Sequence, residues 1–394
     1  MKRNDLTYII GDENIAVQPI EPYSEIVCEF LNEYSRRLRM GKTATGLSDV
    51  MSLAFWCRKA NILRLKEQFD NTHIRLGRGL VFHITPGNVP VNFMFSYLFG
   101  LLSGNANIVR IPPKPFPQVS VLLETLKLVL QDERFAHIKQ TTAFVDYGII
   151  DEITAHFSSI CNARIIWGGN RTIESIRKNP IHVRGTEIAF SDRYSFCAID
   201  APSVLNASDD ELCKLGDSFY NDTYLMDQNA CSSPMLVIWQ GAHKHAAKEK
   251  FWNAVLASAQ KYDLAPVHAI DKYTQLCEIA IDTDHISYIN QKSNLLYCVG
   301  LDTLPNNTDD LRGKFGLFYE YDCDDINTLA HIVNLKYQTL TYFGVSKEKL
   351  ADFVTQNHLL GIDRIVPIGS ALDIGIIWDG YDIISTLSRI IDVK

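Results

Sequence analysis

Residues 80–111 read LVFHITPGNVPVNFMFSYLFGLLSGNANIVRI, and the order of textures inside this stretch decides the fold. An apolar run, Leu80 to Ile84, stops at the rigid turn Thr85-Pro86-Gly87-Asn88-Val89-Pro90. A longer apolar stretch, Val91 to Leu102, follows; Ser103-Gly104-Asn105 ends it and opens a second short run, Ala106 to Ile111. Strand, turn, helix, turn, strand is the βαβ unit, in which two parallel strands are joined by a crossover helix. Val91 to Leu102 carries Asn92 and Ser96 and is shorter than the ~20 residues that cross a bilayer. It reads as a buried helix, and no membrane span is expected.

The alternation continues outward. Short apolar runs at Thr142 to Val145, Arg164 to Trp167 and Phe196 to Ile199 are separated by helical stretches at Val119 to Leu130, Ile150 to Ile160 and Thr172 to Lys178. This pattern predicts a Rossmann-type α/β domain over 76–204, with a mostly parallel sheet and helices on both faces. Nucleotides bind such sheets at the carboxyl ends of the strands, where the glycine turns fall. Residues 1–75 are helix-rich. A second α/β set over 205–362 is the expected catalytic domain: a helix Ala207 to Leu225, a polar loop around Cys231, a strand Met235 to Trp239 and a helix Ala242 to Lys261. The apolar tail 363–394 is expected to return to the nucleotide-binding domain or to an oligomer interface.

Bulk composition narrows the function. With 394 residues the chain is long for one core, so two or three lobes are expected. A net charge of −8 without clustered Lys and Arg argues against a nucleic-acid partner. Nine cysteines without a CxxC pair argue against a disulfide framework and against the usual zinc patterns, so a reducing cytoplasm is the expected compartment and no metal is expected. The first residues, Met1-Lys2-Arg3-Asn4-Asp5, lead into no apolar signal region.

Four constellations carry chemistry, and each has a plainer reading. Cys231 lies in Asp227-Gln228-Asn229-Ala230-Cys231-Ser232-Ser233-Pro234, whose polar residues suit a reactive loop, although a lone cysteine equally serves as a small core residue. Asn88 either makes its turn or donates its side-chain NH2 to an oxyanion, where one donor is worth roughly 3 to 4 kcal/mol. Gly104, Gly168 and Gly169 make tight turns; the pair ahead of the helix from Thr172 also offers N–H groups to a pyrophosphate, though neither GxGxxG nor GxxxxGK[ST] occurs. His83 is read as a hydrogen-bonded strand histidine before a pocket residue. Cysteine nucleophile, amide donor and nucleotide pocket in this order are the equipment for reducing a thioester.

These segments together resemble the aldehyde dehydrogenase superfamily, and within it the LuxC-type acyl-CoA reductases. Pro86-Gly87-Asn88-Val89-Pro90 is similar to the superfamily's P-W-N-F-P, and Gly104-Asn105-Ala106-Asn107-Ile108-Val109-Arg110 to its G-N-x-x-V-x-K strand, with Arg110 where the ribose-binding lysine stands. Trp167-Gly168-Gly169 falls on the F-T-G turn over the pyrophosphate, and Asp227 to Cys231 on the nucleophile. The LuxC-type marks are His83 to Asn88, Cys231 to Pro234, Tyr337-Gln338-Thr339-Leu340, Arg364 to Gly369 and Trp378-Asp379-Gly380. Ala189 stands where the superfamily has the glutamate that activates hydrolytic water. Pro113 and Lys114 replace the expected acidic residue, which favours a 2′-phosphate.

The resemblance implies an aldehyde-dehydrogenase-like fold and NADPH-dependent reduction of a fatty acyl thioester to an aldehyde. The acyl donor is expected to be fatty acyl-CoA or an acylated synthetase protein, and the assembly a homo-oligomer. Cys231 and Asn88 are the expected catalytic residues; Gly104, Arg110, Lys114, Gly168 and Gly169 are expected at NADP. Two alternatives remain: a short-chain CoA-acylating aldehyde dehydrogenase using NAD, and an acyl-transferring partner of an acyl-activating enzyme without reductase activity.

Overall fold

The computed structural model describes residues 6–69, 72–87, 89–282 and 285–394. The chain forms two compact units, Met1–Ser191 with Ile376–Lys394, and Asp192–Gly375. Along the first run β1 (Thr7–Ile10), α1 (Glu25–Met40), α2 (Ser48–Trp56), α3 (Lys59–Gln68), β2 (Ile74–Gly77), β3 (Leu80–Ile84), α4 (Asn92–Leu102), β4 (Ala106–Arg110), α5 (Pro117–Val129), α6 (Ala136–Gln140), β5 (Thr142–Asp146), α7 (Asp151–Ile160), β6 (Ala163–Trp167), α8 (Asn170–Arg177) and β7 (Thr186–Phe190). The second contains β8 (Tyr194–Asp200), α9 (Ala201–Asn206), α10 (Asp209–Thr223), β9 (Leu236–Gln240), α11 (Lys244–Ala259), α12 (Pro266–Asp282), β10 (Ile286–Ser293), β11 (Leu296–Leu301), β12 (Leu317–Asp322), β13 (Tyr337–Phe343), α13 (Lys347–Gln356) and β14 (Arg364–Pro367). The chain then adds β15 (Ile377–Trp378), β16 (Tyr381–Asp382), α14 (Ile383–Thr386) and β17 (Ser388–Ile391) to the first unit.

In the first unit the sheet order is β1-β5-β4-β3-β6-β7, parallel except for β1. All five residues of β3 are buried, as expected of a strand with both faces covered. From β3 the chain winds to β4 and β5 on one side, then crosses to β6 and β7 on the other. The winding reverses between β3 and β6, and sheets of this kind bind ligands beyond the carboxyl ends of the strands at such a reversal. α4 is buried from Phe93 to Leu102, as its unbroken apolar sequence requires. α5 instead shows one apolar face, Val119, Leu122, Leu126 and Val129, and opens with Pro117 in its first turn, where the missing N–H costs nothing. β17 pairs antiparallel with β2, tying the end of the chain to this unit.

The second unit has sheet order β10-β11-β12-β9-β8-β13-β14, parallel except for β10. A capping box, Ser208 with Glu211, starts α10, the helix that leads into the Cys231 loop. In the core the buried Glu320 carboxylate accepts the indole N–H groups of Trp239 and Trp252, each at 2.8 Å.

The division differs from the sequence reading in three places. β8, read with the first α/β set, is an interior strand of the second sheet between β9 and β13, so the units part at Ser191/Asp192 and not near 204. Residues 363–375 stay with the second unit because β14 pairs with β13, and only the segment from Ile376 returns. Residues 1–75 are no separate body: β1 extends the first sheet, and Tyr34 of α1 donates to the Leu122 carbonyl of α5 at 3.1 Å. An apolar pattern reports that a strand is buried, not which neighbour it pairs with.

Candidate active site

In the second unit Cys231 lies in the loop from α10 to β9, at the amino ends of the parallel strands. Asp227 and Gln228, with φ of 53° and 57°, are consecutive left-handed residues other than glycine, a conformation held only where the surroundings enforce it. The enforcing contacts are visible. The Gln228 amide is buried and acts as a strand bridge, Nε2 donating to the Leu317 carbonyl at 3.1 Å and Oε1 accepting the Gly316 N–H at 2.7 Å. Tyr262 donates its hydroxyl to Asp227 Oδ1 at 2.5 Å.

The carbonyl of Cys231 accepts the Ser195 hydroxyl of β8 at 2.7 Å, and Ser195 Oγ accepts the Thr339 N–H of β13 at 3.1 Å. Downstream, Ser233 donates to the Asp222 carbonyl at 2.6 Å. The Asp222 carboxylate, buried on α10, accepts the N–H groups of Gly369 at 2.6 Å and Ala371 at 2.9 Å. Burial pushes its pKa up to about 6 although those two bonds and Arg364 oppose the rise. Arg364 donates in turn to the carbonyls of Ser370, Ala371 and Asp373, closing the 364–373 loop on itself.

Among the nine cysteines, Cys231 is half-buried, Cys213 and Cys277 are exposed on helices, and the other six are buried. Burial pushes the thiols of Cys161 and Cys197 up to about 11 and about 12, so they are poor sources of thiolate. Cys231 combines partial access with a loop held in place from both sides.

In the first unit Thr85-Pro86-Gly87 follows β3 and Gly168-Gly169 follows Trp167 at the end of β6, at the reversal of winding. Asn88 lies outside the described residues. A Cβ on Gly169 would meet nothing within 4 Å, so the backbone at the start of α8 is open to an approaching group. The start of α8 has no preceding helical turn to receive its N–H groups, Thr172 apart, whose N–H goes to the Gly169 carbonyl at 2.9 Å, and such a helix start suits a pyrophosphate. Arg110 ends β4 at the same edge; its guanidinium donates to the carbonyls of Tyr147 at 3.2 Å and Gly148 at 2.9 Å and lies 4.5 Å from the Tyr147 ring centroid. Lys114 is exposed beyond it.

Gly104 does not join this group. It precedes β4, at the amino end of the strand, with φ +79°, and a Cβ there would come within 2.0 Å of the Ile20 carbonyl oxygen. Its glycine answers a close backbone approach and not a cofactor. Ala189 lies on β7 opposite Ile166.

A family profile, Acyl-CoA reductase (LuxC), matches residues 16–280, more than half of the chain. The chain belongs to the acyl-CoA reductase (LuxC) family. A long-chain acyl-protein thioester reductase of Vibrio harveyi is 24% identical over 237 residues, covering 53% of this chain and 47% of that protein. The chain thus spans about half the length of this curated relative. Solved structures share the fold: the NAD-dependent benzaldehyde dehydrogenase of Corynebacterium glutamicum, with TM-score 0.60, 13% identity and coverage of 93% and 84% of the two chains; a point mutant of the Thermus thermophilus 1-pyrroline-5-carboxylate dehydrogenase, with TM-score 0.59, 13% identity, 92% and 80%; and a bifunctional proline utilization A protein, with TM-score 0.63, 15% identity, 90% of this chain and 39% of that one. The fold of this LuxC-family chain is that of the aldehyde dehydrogenases.

Sequence reading of this family member missed Ser195 and Asp222. Neither stands in a recognisable motif, and both act on main-chain groups distant in sequence. Thr339 and Gly369 did carry a signal, since both lie in the LuxC-type marks. Among the described residues no group of three or more His, Cys, Asp or Glu is placed to hold a metal, and no helix is long and apolar enough to cross a membrane.

Proposed function

We propose that this LuxC-family chain reduces a fatty acyl thioester, carried by CoA or by a protein, to the aldehyde through an acyl group on Cys231. The observation that carries this reading is the half-buried Cys231 on a loop pinned by Gln228, Ser195 and Ser233, in a chain of this family.

The Cys231 thiolate adds to the thioester carbonyl, and the new oxyanion is held by the Asn88 side-chain amide. The C–S bond to the donor then breaks and the donor leaves as a thiolate, so no strong acid is needed. The turn Trp167-Gly168-Gly169 and the start of α8 hold the cofactor pyrophosphate, with Arg110 and Lys114 toward the 2′-phosphate of NADPH. When bound, the cofactor supplies a hydride to the acyl carbon. The resulting hemithioacetal oxyanion re-forms its carbonyl, the C–S bond to Cys231 breaks, and aldehyde leaves with the thiolate restored. Ala189 offers no base to water, which leaves the acyl group for hydride.

A panel of acyl-CoAs from short to long, each with NADPH or NADH and followed by nicotinamide absorbance, tests the reading. Turnover with long chains and a lower dissociation constant for NADPH is expected. Turnover confined to short chains with NADH favours the CoA-acylating aldehyde dehydrogenase alternative, and acylation without nicotinamide oxidation favours the acyl-transferring one.

A further inference from the structure

His83, Ser96 and Trp167 come from three different elements of the first unit and form one buried hydrogen-bond chain. Ser96 Oγ lies 2.8 Å from His83 Nδ1 and 3.0 Å from Trp167 Nε1, and His83 Nε2 lies 3.0 Å from Asn107 Oδ1. Asn107 Nδ2 donates to the Asn105 carbonyl at 2.7 Å. His83, Ser96 and Asn107 are fully buried.

The direction of every bond follows. Asn107 spends its amide N–H on Asn105, so its oxygen faces His83 and Nε2 carries the imidazole proton. Burial holds His83 neutral, with its pKa down to about 4, so Nδ1 is a bare acceptor and accepts the hydrogen bond that the Ser96 hydroxyl donates. The indole can only donate, and gives its N–H to Ser96. The chain therefore runs one way, from Trp167 through Ser96 and His83 to Asn107.

The fold makes room for it at a cost. Gly100 lies inside α4, where glycine is about 1 kcal/mol worse than alanine. A Cβ there would fall 1.8 Å from Asn107 Oδ1 and 3.0 Å from His83 Nε2. At the other end, Trp167 stacks on Phe190 with ring centroids 3.7 Å apart, and the next residue, Gly168, donates its N–H to the Phe190 carbonyl at 3.2 Å. The chain ends on the residue that opens the glycine turn ahead of α8.

We infer that His83 and Ser96 are positioning residues for the nicotinamide nucleotide: they fix the Trp167 indole, and through it the Gly168-Gly169 backbone that receives the pyrophosphate. This rests on the proposed cofactor site. It assigns a task to the first residue of the LuxC-type stretch His83 to Asn88, which the reaction itself leaves unused. Two partners explain the choice of serine, since a hydroxyl accepts from the indole and donates to the imidazole through one oxygen.

The test is nucleotide binding without turnover, by NADPH fluorescence titration of the wild-type chain, Ser96→Ala, Trp167→Phe and the double variant, with thermal unfolding and acylation of Cys231 by acyl-CoA measured alongside. Ser96→Ala and Trp167→Phe should each raise the NADPH dissociation constant ~10-fold, and the double variant no further, as members of one network behave. Acylation in Ser96→Ala should stay within about twofold of wild type, since that step uses no nucleotide. Ser96→Thr, which keeps the hydroxyl, should restore binding. An unchanged dissociation constant in Ser96→Ala, with or without a lower melting temperature, would overturn the inference and leave the cofactor site standing. No NADPH binding in the wild-type chain would overturn the cofactor site, and this inference with it.

Discussion

Asp222 ties two loops to one helix, its carboxylate holding one and its main-chain carbonyl the other. Its oxygens hold the 369–371 backbone, and its carbonyl holds Ser233, two residues past the proposed nucleophile. Because its folded pKa of about 6 is raised above the ordinary 3.8, the folded state binds its proton more tightly than the unfolded chain. The stability this gives is complete below pH 3.8 and is lost as pH rises through 6, by up to roughly 3 kcal/mol. Asp222→Asn removes that titration, so denaturant unfolding at a series of pH values should show the wild type losing ground against the variant between pH 4 and 6. A constant difference across that range would show that Asp222 is ionised throughout. None of this was legible at the residue scale, because an aspartate inside an ordinary helix carries no mark of what its carboxylate will meet. Cys231 stands out in sequence by its polar neighbours, and its partial exposure separates it from the six cysteines that prove buried.

At the scale of elements, the βαβ pattern of 80–111 was readable because strand, turn and helix are each set by local sequence. β3, α4 and β4 lie where the apolar runs place them. Strand partnership was not readable, and β8 was grouped with the wrong sheet for that reason. The glycines mislead in a related way. Gly104 is expected at the cofactor from the resemblance, and its reason is a backbone contact with Ile20; Gly100 carries no signal in the sequence, and it accommodates the His83–Asn107 pair. Gly100→Ala in an ordinary helix would stabilise by about 1 kcal/mol. Here the added methyl collides with Asn107 Oδ1, so chemical denaturation should show a loss of stability of ~2 kcal/mol or more. A gain would mean that the buried chain yields easily, and would weaken the case for its rigidity.

For the whole molecule, the fold and family follow from the order of motifs, and they agree with the aldehyde-dehydrogenase fold of the solved structures and with the LuxC-family match. What distinguishes this chain from a hydrolytic relative is the proposed consequence of Ala189. General-base assistance to water is worth ~10² to 10⁴ in rate, and hydride transfer does not need it. Two carboxylates near the motifs are candidates to replace that base, yet both are engaged: Asp227 accepts from Tyr262 at 2.5 Å, and Asp192 pairs with Arg312 at 3.1 Å. Without cofactor, the acyl-enzyme should therefore persist for many turnover times. Release of free fatty acid at the rate of turnover would show that another residue activates water.

The central claim is that Cys231 carries the acyl group that becomes aldehyde, and intact-mass measurement tests it most directly. Mixed with a long-chain acyl-CoA in the absence of NADPH, the wild-type chain should gain the mass of one acyl group. Adding NADPH should discharge it as aldehyde, and Cys231→Ala should gain nothing under the same conditions. An acyl adduct of the same stoichiometry on Cys231→Ala, or a wild-type adduct that NADPH leaves in place, would contradict the account.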